Sequence, residues 1–357
     1  MLNRQRPRVS ILIKALNEEK NIAETIESAI AALDGMSGEI ILADSLSTDS
    51  TVEIAQKYPI RIVTLARAKD RSCGVGAQLG YQYSSGDYIC LMDGDQRLYR
   101  GFLAAAIECL EADRTLAGVG GAIVEREEGN LEYIKRATRD DPDRRPGYVT
   151  RLDCGGVYRR TAVESIGFFT DRNLHSGEEF DLGARLSAQG WRLARVDQLA
   201  IDHFGHRGSA YALLVHRVRS RMAFGAGETL RAALGRPHFA FVMRHHWRLF
   251  TLWTGMHLWW ACLIATPFIF HGAMQVISVL AALILFPTAL MILRCRSVSL
   301  GLYSVVAWNV YALCFIPGLL RRRTDPAHWI ESREVDDAAE VSNEPVRVGL
   351  AAATEAR

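Results

Sequence analysis

Three long apolar stretches near the C-terminus constrain the fold of this chain more than any other feature. They cover residues 249–270, 273–293 and 298–320. Across this region the only Asp, Glu, Lys or Arg residues are Arg294 and Arg296. Each stretch has roughly the 20 residues that a helix needs to cross a bilayer. We therefore predict two or three transmembrane helices over residues 249–320, as in a multi-pass membrane protein.

The residues that flank these stretches are basic. Residues 210–248 mix apolar side chains with arginines, which predicts an amphipathic segment on an anionic membrane surface. The alternative is a core-facing helix with a solvated basic side. The run "RHHWR" at 244–248 places the preceding domain in the cytoplasm, because Lys and Arg are enriched in cytoplasmic loops. Basic runs at 294–297 and 321–323 flank the last stretch on both sides, so the number of crossings stays open.

Residues 1–209 have the composition of a soluble domain. The net charge of the whole chain, +2, is too small to indicate a nucleic-acid partner. The seven cysteines form no CxxC pair, which is typical of a reduced, cytosolic protein without a zinc site. The basic N-terminus lacks the apolar core of a signal peptide. We expect a cytoplasmic domain held at the inner cell membrane, with membrane lipids as partners, and a polar, disordered tail at 321–357.

Strands and helices alternate along the first hundred residues. Apolar runs predict strands at residues 9–16, 39–44, 60–65 and 88–92. Helical spacing, a capping box and a small-residue segment predict helices at 19–33, 50–57 and 73–86. Such alternation predicts an α/β fold, with a mostly parallel, Rossmann-like sheet covered by helices on both faces.

Acidic and amide side chains follow these strands. Asn17 and Glu18 follow the first strand, Asp44 closes the second, and Asp93 and Asp95 follow the fourth. Ligands of such sheets bind beyond the carboxyl ends of the strands, so we expect these side chains to line one edge. Carboxylate oxygens suit Mg²⁺ or Mn²⁺ carrying a substrate's phosphates. An ordinary Asp-Gly-Asp turn is the alternative.

Four segments, in this order and spacing, resemble the family 2 glycosyltransferases of the GT-A fold. They are "VSILIKALNEEKNI", "IILADSLSTDST", "GDYICLMDGDQ" and "GEEFDLGARLSAQGWRL". The likeness covers about Val9 to His206. It implies a metal-dependent, inverting enzyme that uses a nucleotide-sugar donor, such as a UDP- or GDP-sugar.

The resemblance also implies roles for individual residues. Ala15, Asn17, Glu18 and Asp44 would hold the nucleotide, and Asp93 and Asp95 would hold the metal and the diphosphate. A carboxylate of the pair Glu178-Glu179 would deprotonate the acceptor hydroxyl, with Glu179 at the usual place of the base. The usual pair is Glu-Asp, so which glutamate reaches the acceptor stays open.

Other positions depart from the family pattern or match it less closely. Lys14, Ala15 and Leu16 stand where Pro-Thr-Tyr is usual, and the common diphosphate-side arginine is missing before the fourth strand. Arg71, or its neighbours Arg67 and Lys69, is expected to replace it, unless these are solvated surface charges. The resemblance assigns Gly155 and Gly156 to the acceptor side, where a strand with a glycine bulge is the alternative. It assigns His203, and less directly His206, to the metal or diphosphate, where a structural histidine is the alternative.

These observations predict a transferase that delivers a sugar to a lipid-linked saccharide or another glycan acceptor at the membrane, in exopolysaccharide or envelope-glycan synthesis. Two other functions stay open. One is a membrane scaffold that binds nucleotide sugar without turning it over. The other is a nucleotidyltransferase, which is disfavoured because Asn17-Glu18-Glu19 occupies the loop where such an enzyme has a glycine-rich, basic phosphate loop.

Overall fold

The computed structural model describes residues 7–126, 131, 141–205 and 208–335, and its first part alternates strands with helices. These elements are β1 (Val9–Ala15), α1 (Ile22–Leu33), β2 (Gly38–Asp44), α2 (Thr51–Ala55), β3 (Arg61–Leu65), α3 (Cys73–Gln82) and β4 (Tyr88–Asp93). The strands are largely apolar because both faces of the sheet are covered. On β1, Ile11 packs in one core with Ile26 of α1, and Leu12 packs in the other with Leu79 of α3. The predicted α/β fold is confirmed.

The second part of the domain adds mainly antiparallel pairings. Its elements are β5 (Gln96–Leu98), α4 (Phe102–Ala112), β6 (Leu116–Glu125), β7 (Gly147–Val149), β8 (Val157–Arg159), α5 (Arg160–Glu164), α6 (Glu178–Ala188) and β9 (Arg192–His203). With a C-terminal strand β10 (Ser332–Glu334), the sheet runs β10-β3-β2-β1-β4-β8-β6-β9-β5, and β7 pairs with β9. Strands β1 to β4 are parallel, whereas β8 is antiparallel to both β4 and β6. The sheet is therefore mixed rather than mostly parallel.

Helices dominate the remainder of the chain. They are α7 (Ala210–Arg219), α8 (Gly225–Ala233), α9 (Phe239–Ile269), α10 (Ala273–Cys295) and α11 (Val298–Leu320). The last three are long and apolar enough to cross a membrane, as predicted from the three apolar stretches. Helix α9 begins ten residues before the predicted start at Leu249, because neither Pro nor Gly interrupts residues 238–254. The "RHHWR" run thus lies within α9 and not ahead of it.

The predicted boundaries of the flanking segments change in two places. Residues 210–233 form two short helices that pack against α11, with Ala210 and Leu214 beside Tyr303 and Ala307. Contact of this segment with a membrane surface stays a prediction. The tail was predicted to be disordered from residue 321, but Ser332–Glu334 form β10, antiparallel to β3, because the edge of β3 offers free backbone hydrogen-bonding groups. Residues 336–357 lie outside the described part of the chain.

Candidate active site

The loops after β1 and β2 hold each other at one edge of the sheet. Asn17 has a φ of 60°, a left-handed conformation that asparagine adopts more readily than most residues. Its Oδ1 accepts a hydrogen bond from the Thr48 N–H at 2.7 Å, and its own N–H donates to Ser47 Oγ at 2.9 Å. The Ala15 carbonyl accepts from the Ser45 N–H at 2.9 Å. The predicted residues of the first loop therefore lie beside the loop after β2.

Asp44 ends β2 directly opposite Ala15 and is buried. Burial raises the pKa of Asp44, while hydrogen bonds from Ser47 act in the opposite direction. Arg71 holds the same loop from the other side. It donates from Nε to the Ser45 carbonyl at 2.7 Å and from Nη2 to the Leu46 carbonyl. These contacts place Arg71 at the loop after β2, and its predicted contact with the donor stays a prediction.

The Asp-Gly-Asp turn meets the loop of β1 closely. A Cβ on Gly94 would lie 2.8 Å from Glu18 Cγ and 3.3 Å from Ala15 Cβ, so only glycine permits this approach. The turn brings Asp93 and Asp95 beside Glu18. Burial first, and then the charges of Asp95 and Asp93, raise the pKa of Glu18 to about 7. Three carboxylates thus converge where the sequence predicted the metal and the diphosphate.

His203 lies next to this turn. Its Nε2 is 3.5 Å from Asp95 Oδ2, and its Nδ1 is 2.5 Å from Glu125 Oε2. Burial would lower the pKa of His203, but the hydrogen bonds and charges of both carboxylates outweigh it and raise the pKa to about 10. A protonated imidazole has no free lone pair for a metal. A metal-binding role for His203 therefore stays a prediction that requires it to lose this proton, and His206 lies outside the described residues.

Among the described residues, no group of three or more His, Cys, Asp or Glu side chains has the arrangement of a metal site. The residue types nevertheless fit a hard cation. Burial and, after it, the charges of the nearby carboxylates raise the pKa of Glu18, and a bound cation would relieve the repulsion between these carboxylates. Asp93, a third of whose side chain is exposed, and buried Asp95 supply the oxygen ligands that Mg²⁺ and Mn²⁺ prefer.

Lys14 joins the two acidic parts of the site. It lies opposite Asp93 in the pairing of β1 with β4, and its Nζ is 3.1 Å from Asp93 Oδ1 and 2.9 Å from Glu178 Oε1. Burial alone would lower the pKa of Lys14, but the surrounding acidic groups raise it, so the ammonium keeps its charge. The signal of this role in the sequence is a lysine inside an otherwise apolar strand, at a position that also departs from the family pattern.

The two glutamates at the start of α6 have different partners. Glu178 forms an ion pair with Lys14, whereas Glu179 Oε1 accepts from Cys154 Sγ at 3.1 Å. Burial raises the pKa of Glu179 to about 8, while the Lys14 charge acts in the opposite direction. A carboxylate with this pKa is suited to general-base catalysis near neutral pH.

Gly155 and Gly156 connect this acidic pair to β4. The Gly155 N–H donates to the Leu91 carbonyl at 2.6 Å, and the Leu91 N–H donates to the Gly156 carbonyl at 3.1 Å. Gly155 has a φ of 88°, which favours glycine. This turn places Cys154, which the sequence analysis missed, against Glu179. The predicted acceptor role of the two glycines stays a prediction.

Residues 10–167 match the family model of glycosyl transferase family 2. The chain contains a glycosyltransferase family 2 domain. Among curated relatives, it is 28% identical over 235 residues to the candidate glycosyltransferase EpsE of Bacillus subtilis (strain 168), a match that covers 60% of this chain and 83% of EpsE. It is 23% identical over 243 residues to the succinoglycan biosynthesis protein ExoA of Rhizobium meliloti (strain 1021), covering 58% of this chain and 70% of ExoA.

A solved structure supports the fold of the domain. The mannosyltransferase PcManGT from Pyrobaculum calidifontis, in complex with GDP-Man and Mn²⁺, superposes with a TM-score of 0.57 at 19% identity. The match covers 87% of this chain and 88% of that one. At this identity the likeness concerns the fold alone, and it agrees with the predicted GT-A architecture.

Helix α6 connects the site of the family 2 domain to the long helices. Directly after Glu179, Phe180 stacks on His246 of α9 with ring centroids 4.0 Å apart. Asp181 is buried, with Arg185 Nε 2.7 Å from its Oδ2 and His238 Nε2 3.6 Å from its Oδ1. The first turn of α6 therefore carries the candidate base and also contacts the start of α9.

Proposed function

We propose that the protein is a membrane-anchored, inverting glycosyltransferase that moves a sugar from a nucleotide-sugar donor to a lipid-linked saccharide, in exopolysaccharide or envelope-glycan synthesis. The observation that carries this proposal is the first turn of α6. It holds Glu178 against Lys14, which also contacts Asp93, while Phe180, two residues after Glu178, packs on α9. The same helix thus borders the candidate donor site and the apolar part of the chain.

On the donor side, the loops after β1 and β2, which are hydrogen-bonded to each other, would bind the nucleoside. Ala15 and Asp44 end the two strands, Asn17 and Glu18 lie in the first loop, and Arg71 fixes the second loop. Asp93 and Asp95 would hold Mg²⁺ or Mn²⁺ beside the diphosphate. When bound, that cation neutralises the negative charge that develops on the departing diphosphate.

On the acceptor side, we assign the base to Glu179. The carboxylate of Glu178 is paired with Lys14 at 2.9 Å, whereas Glu179 has only the weakly donating Cys154 thiol as its hydrogen-bond partner among the described residues. Glu179 takes the proton of the acceptor hydroxyl as the acceptor oxygen bonds to the anomeric carbon. The bond from that carbon to the diphosphate oxygen breaks at the same time. A single displacement of this kind inverts the anomeric centre.

Synthesis of a surface glycan on a lipid carrier is supported by two observations. Three long apolar helices follow the domain, and the aligned relative ExoA is a succinoglycan biosynthesis protein. A lipid carrier would keep the acceptor sugar at the membrane surface, next to α6. The protein would then need no deep groove for a free polysaccharide.

The test is a transfer assay with the full-length protein in membranes, supplied with a panel of radiolabelled UDP- and GDP-sugars. We expect one sugar to enter the lipid-extractable fraction, and EDTA to abolish transfer until Mg²⁺ or Mn²⁺ is restored. Binding of a nucleotide sugar with neither transfer of the sugar nor slow hydrolysis of the donor would indicate the scaffold instead. Transfer that resists chelation would contradict the metal assignment.

A further inference from the structure

The two ends of the three-helix region both contact the family 2 domain. At the start of α9, the Phe241 ring lies 5.9 Å from that of Phe180 in α6. After the end of α11, the Thr324 N–H donates to Asn173 Oδ1 at 2.8 Å, and Asn173 Nδ2 donates to the Thr324 carbonyl at 2.8 Å. The chain therefore leaves the domain at the start of α9 and returns to it directly after α11.

A chain that leaves and returns on the same side of a membrane must cross it an even number of times. Three helices are long enough to cross, so they cannot all do so. We propose that the chain crosses the bilayer twice, through α9 and α10, and that α11 lies in the lipid headgroup region beneath the domain. This inference rests on the membrane anchoring proposed above. It makes α11 the surface through which the domain contacts the lipid headgroups.

Helix α11 packs along α7 and α8, the two short helices that follow the domain. The ring of Tyr303 lies 5.4 Å from that of Tyr211 in α7, and Arg217 Nη1 donates to the Tyr311 hydroxyl at 2.9 Å. Further on, a Cβ on Gly227 of α8 would lie 2.6 Å from the Leu319 nitrogen, so the two backbones meet. At a rise of 1.5 Å per residue, the contact from residue 303 to 319 follows α11 for about 24 Å.

Those partner helices carry charges that hydrocarbon does not accommodate. Arg217 and Arg219 lie in the last turn of α7. Buried Glu228 of α8 binds Arg321, with Arg321 Nη1 2.9 Å from Glu228 Oε1, and also contacts His175 Nδ1 at 2.9 Å. Charged side chains are costly in the bilayer centre. A helix that packs on these charged helices over most of its length cannot be surrounded by acyl chains.

Burial also distinguishes α11 from the other two helices. The most apolar window of α11 is 39% buried inside the protein, compared with 17% for α9 and 6% for α10, whereas mean hydropathy, at 1.6, 1.2 and 2.7 respectively, does not separate α11 from α9. Tyr303, Trp308, Asn309 and Tyr311 occupy the middle of α11. Trp and Tyr are enriched at membrane interfaces. Two crossings place both basic runs, 294–297 and 321–323, on the same side as the domain. Three crossings would place one of them on the opposite side, although basic residues are enriched on the cytoplasmic side.

Cysteine labelling of the full-length chain tests this topology. In a background with Cys73, Cys109, Cys262 and Cys295 replaced by serine, four exposed positions are probed one at a time: Lys57→Cys, His271→Cys, Ser299→Cys and Ala327→Cys. A membrane-impermeant maleimide is applied to sealed cells and to inside-out vesicles, and detergent-solubilised samples confirm that each thiol reacts. We expect positions 57, 299 and 327 to label from one side and position 271 from the other.

Every other pattern overturns the proposal. Labelling of position 327 opposite to positions 57 and 299 would mean three crossings. If positions 57 and 327 label from one side and position 299 from the other, then α11 crosses and either α9 or α10 does not. Labelling of all four positions from one side would mean that no helix crosses.

A matched pair of substitutions provides a second test. Leu285 in α10 is 64% exposed and Leu313 in α11 is 61% exposed, so both contact the surroundings of the protein to a similar extent. We expect Leu285→Lys to lower the amount of protein in the membrane fraction several-fold. Leu313→Lys should leave it unchanged, because a lysine at the interface reaches water. Equal losses in the two variants would contradict an interfacial α11.

Discussion

Glu178 and Glu179 have different partners, and the contact of Glu178 with Lys14 decides their expected roles. Lys14 neutralises Glu178 at 2.9 Å, while Glu179 has a pKa raised by burial to about 8. Glu179→Gln keeps the size of the side chain and removes the base. We expect kcat to fall by about 10²- to 10⁴-fold with donor binding intact, measured by transfer assays and by titration with the nucleotide sugar.

The control for this prediction is Glu178→Gln. Its amide oxygen can still accept a hydrogen bond from Lys14, so its kcat should fall less than that of Glu179→Gln. The reverse order, with donor binding retained in both variants, would make Glu178 the base.

The pKa of Glu179 also predicts the pH dependence of the reaction. A base acts only when it has lost its proton, and a pKa of about 8 keeps most Glu179 side chains protonated at pH 7. We expect kcat/KM to rise about tenfold per pH unit below pH 8 and to level off above it, since kcat/KM reports the pKa of the free enzyme. A profile that is flat from pH 6 to 8 would contradict a base that titrates near pH 8.

The turn between β4 and β5 depends on a close approach between two segments of the chain. Any Cβ on Gly94 would meet Glu18 Cγ at 2.8 Å, so Gly94→Ala must push the loop of β1 away from Asp93 and Asp95. We expect a several-fold rise in donor KM in the presence of Mg²⁺, measured beside the thermal unfolding of the same variant because Gly94 is buried. An unaltered KM would mean that this approach does not shape the donor site.

The elements that local patterns specify were predictable from sequence. Strands β1 to β4 are continuous apolar runs, and the carboxylates at their ends gather at one edge because parallel strands end there together. The pairing of Lys14 with Glu178 was not predictable, since it depends on how β1 and α6 meet across 164 positions of the chain. The same holds for β10, a three-residue strand whose polar sequence shows no strand pattern. Its position depends on the free edge of β3.

The whole molecule is held together by the return of the chain from α11 to the domain. Arg323 binds Asp171, which is 1% exposed, and the chain then continues into β10 at the sheet edge. Removing one partner of a buried ion pair leaves an uncompensated charge, which costs about 3–5 kcal/mol. The long helices and the domain are therefore expected to unfold as coupled parts.

Arg323→Met tests this coupling, with Arg322→Met as the matched control because Arg322 is exposed. For a domain of this size, a loss of about 3 kcal/mol lowers Tm by about 6–12 °C, and we expect a shift in this range for Arg323→Met in detergent. Arg322→Met should move Tm by less than about 2 °C, as is usual for surface substitutions. If both variants melt like the unmodified protein, the contact with Asp171 does not hold the end of α11 to the domain.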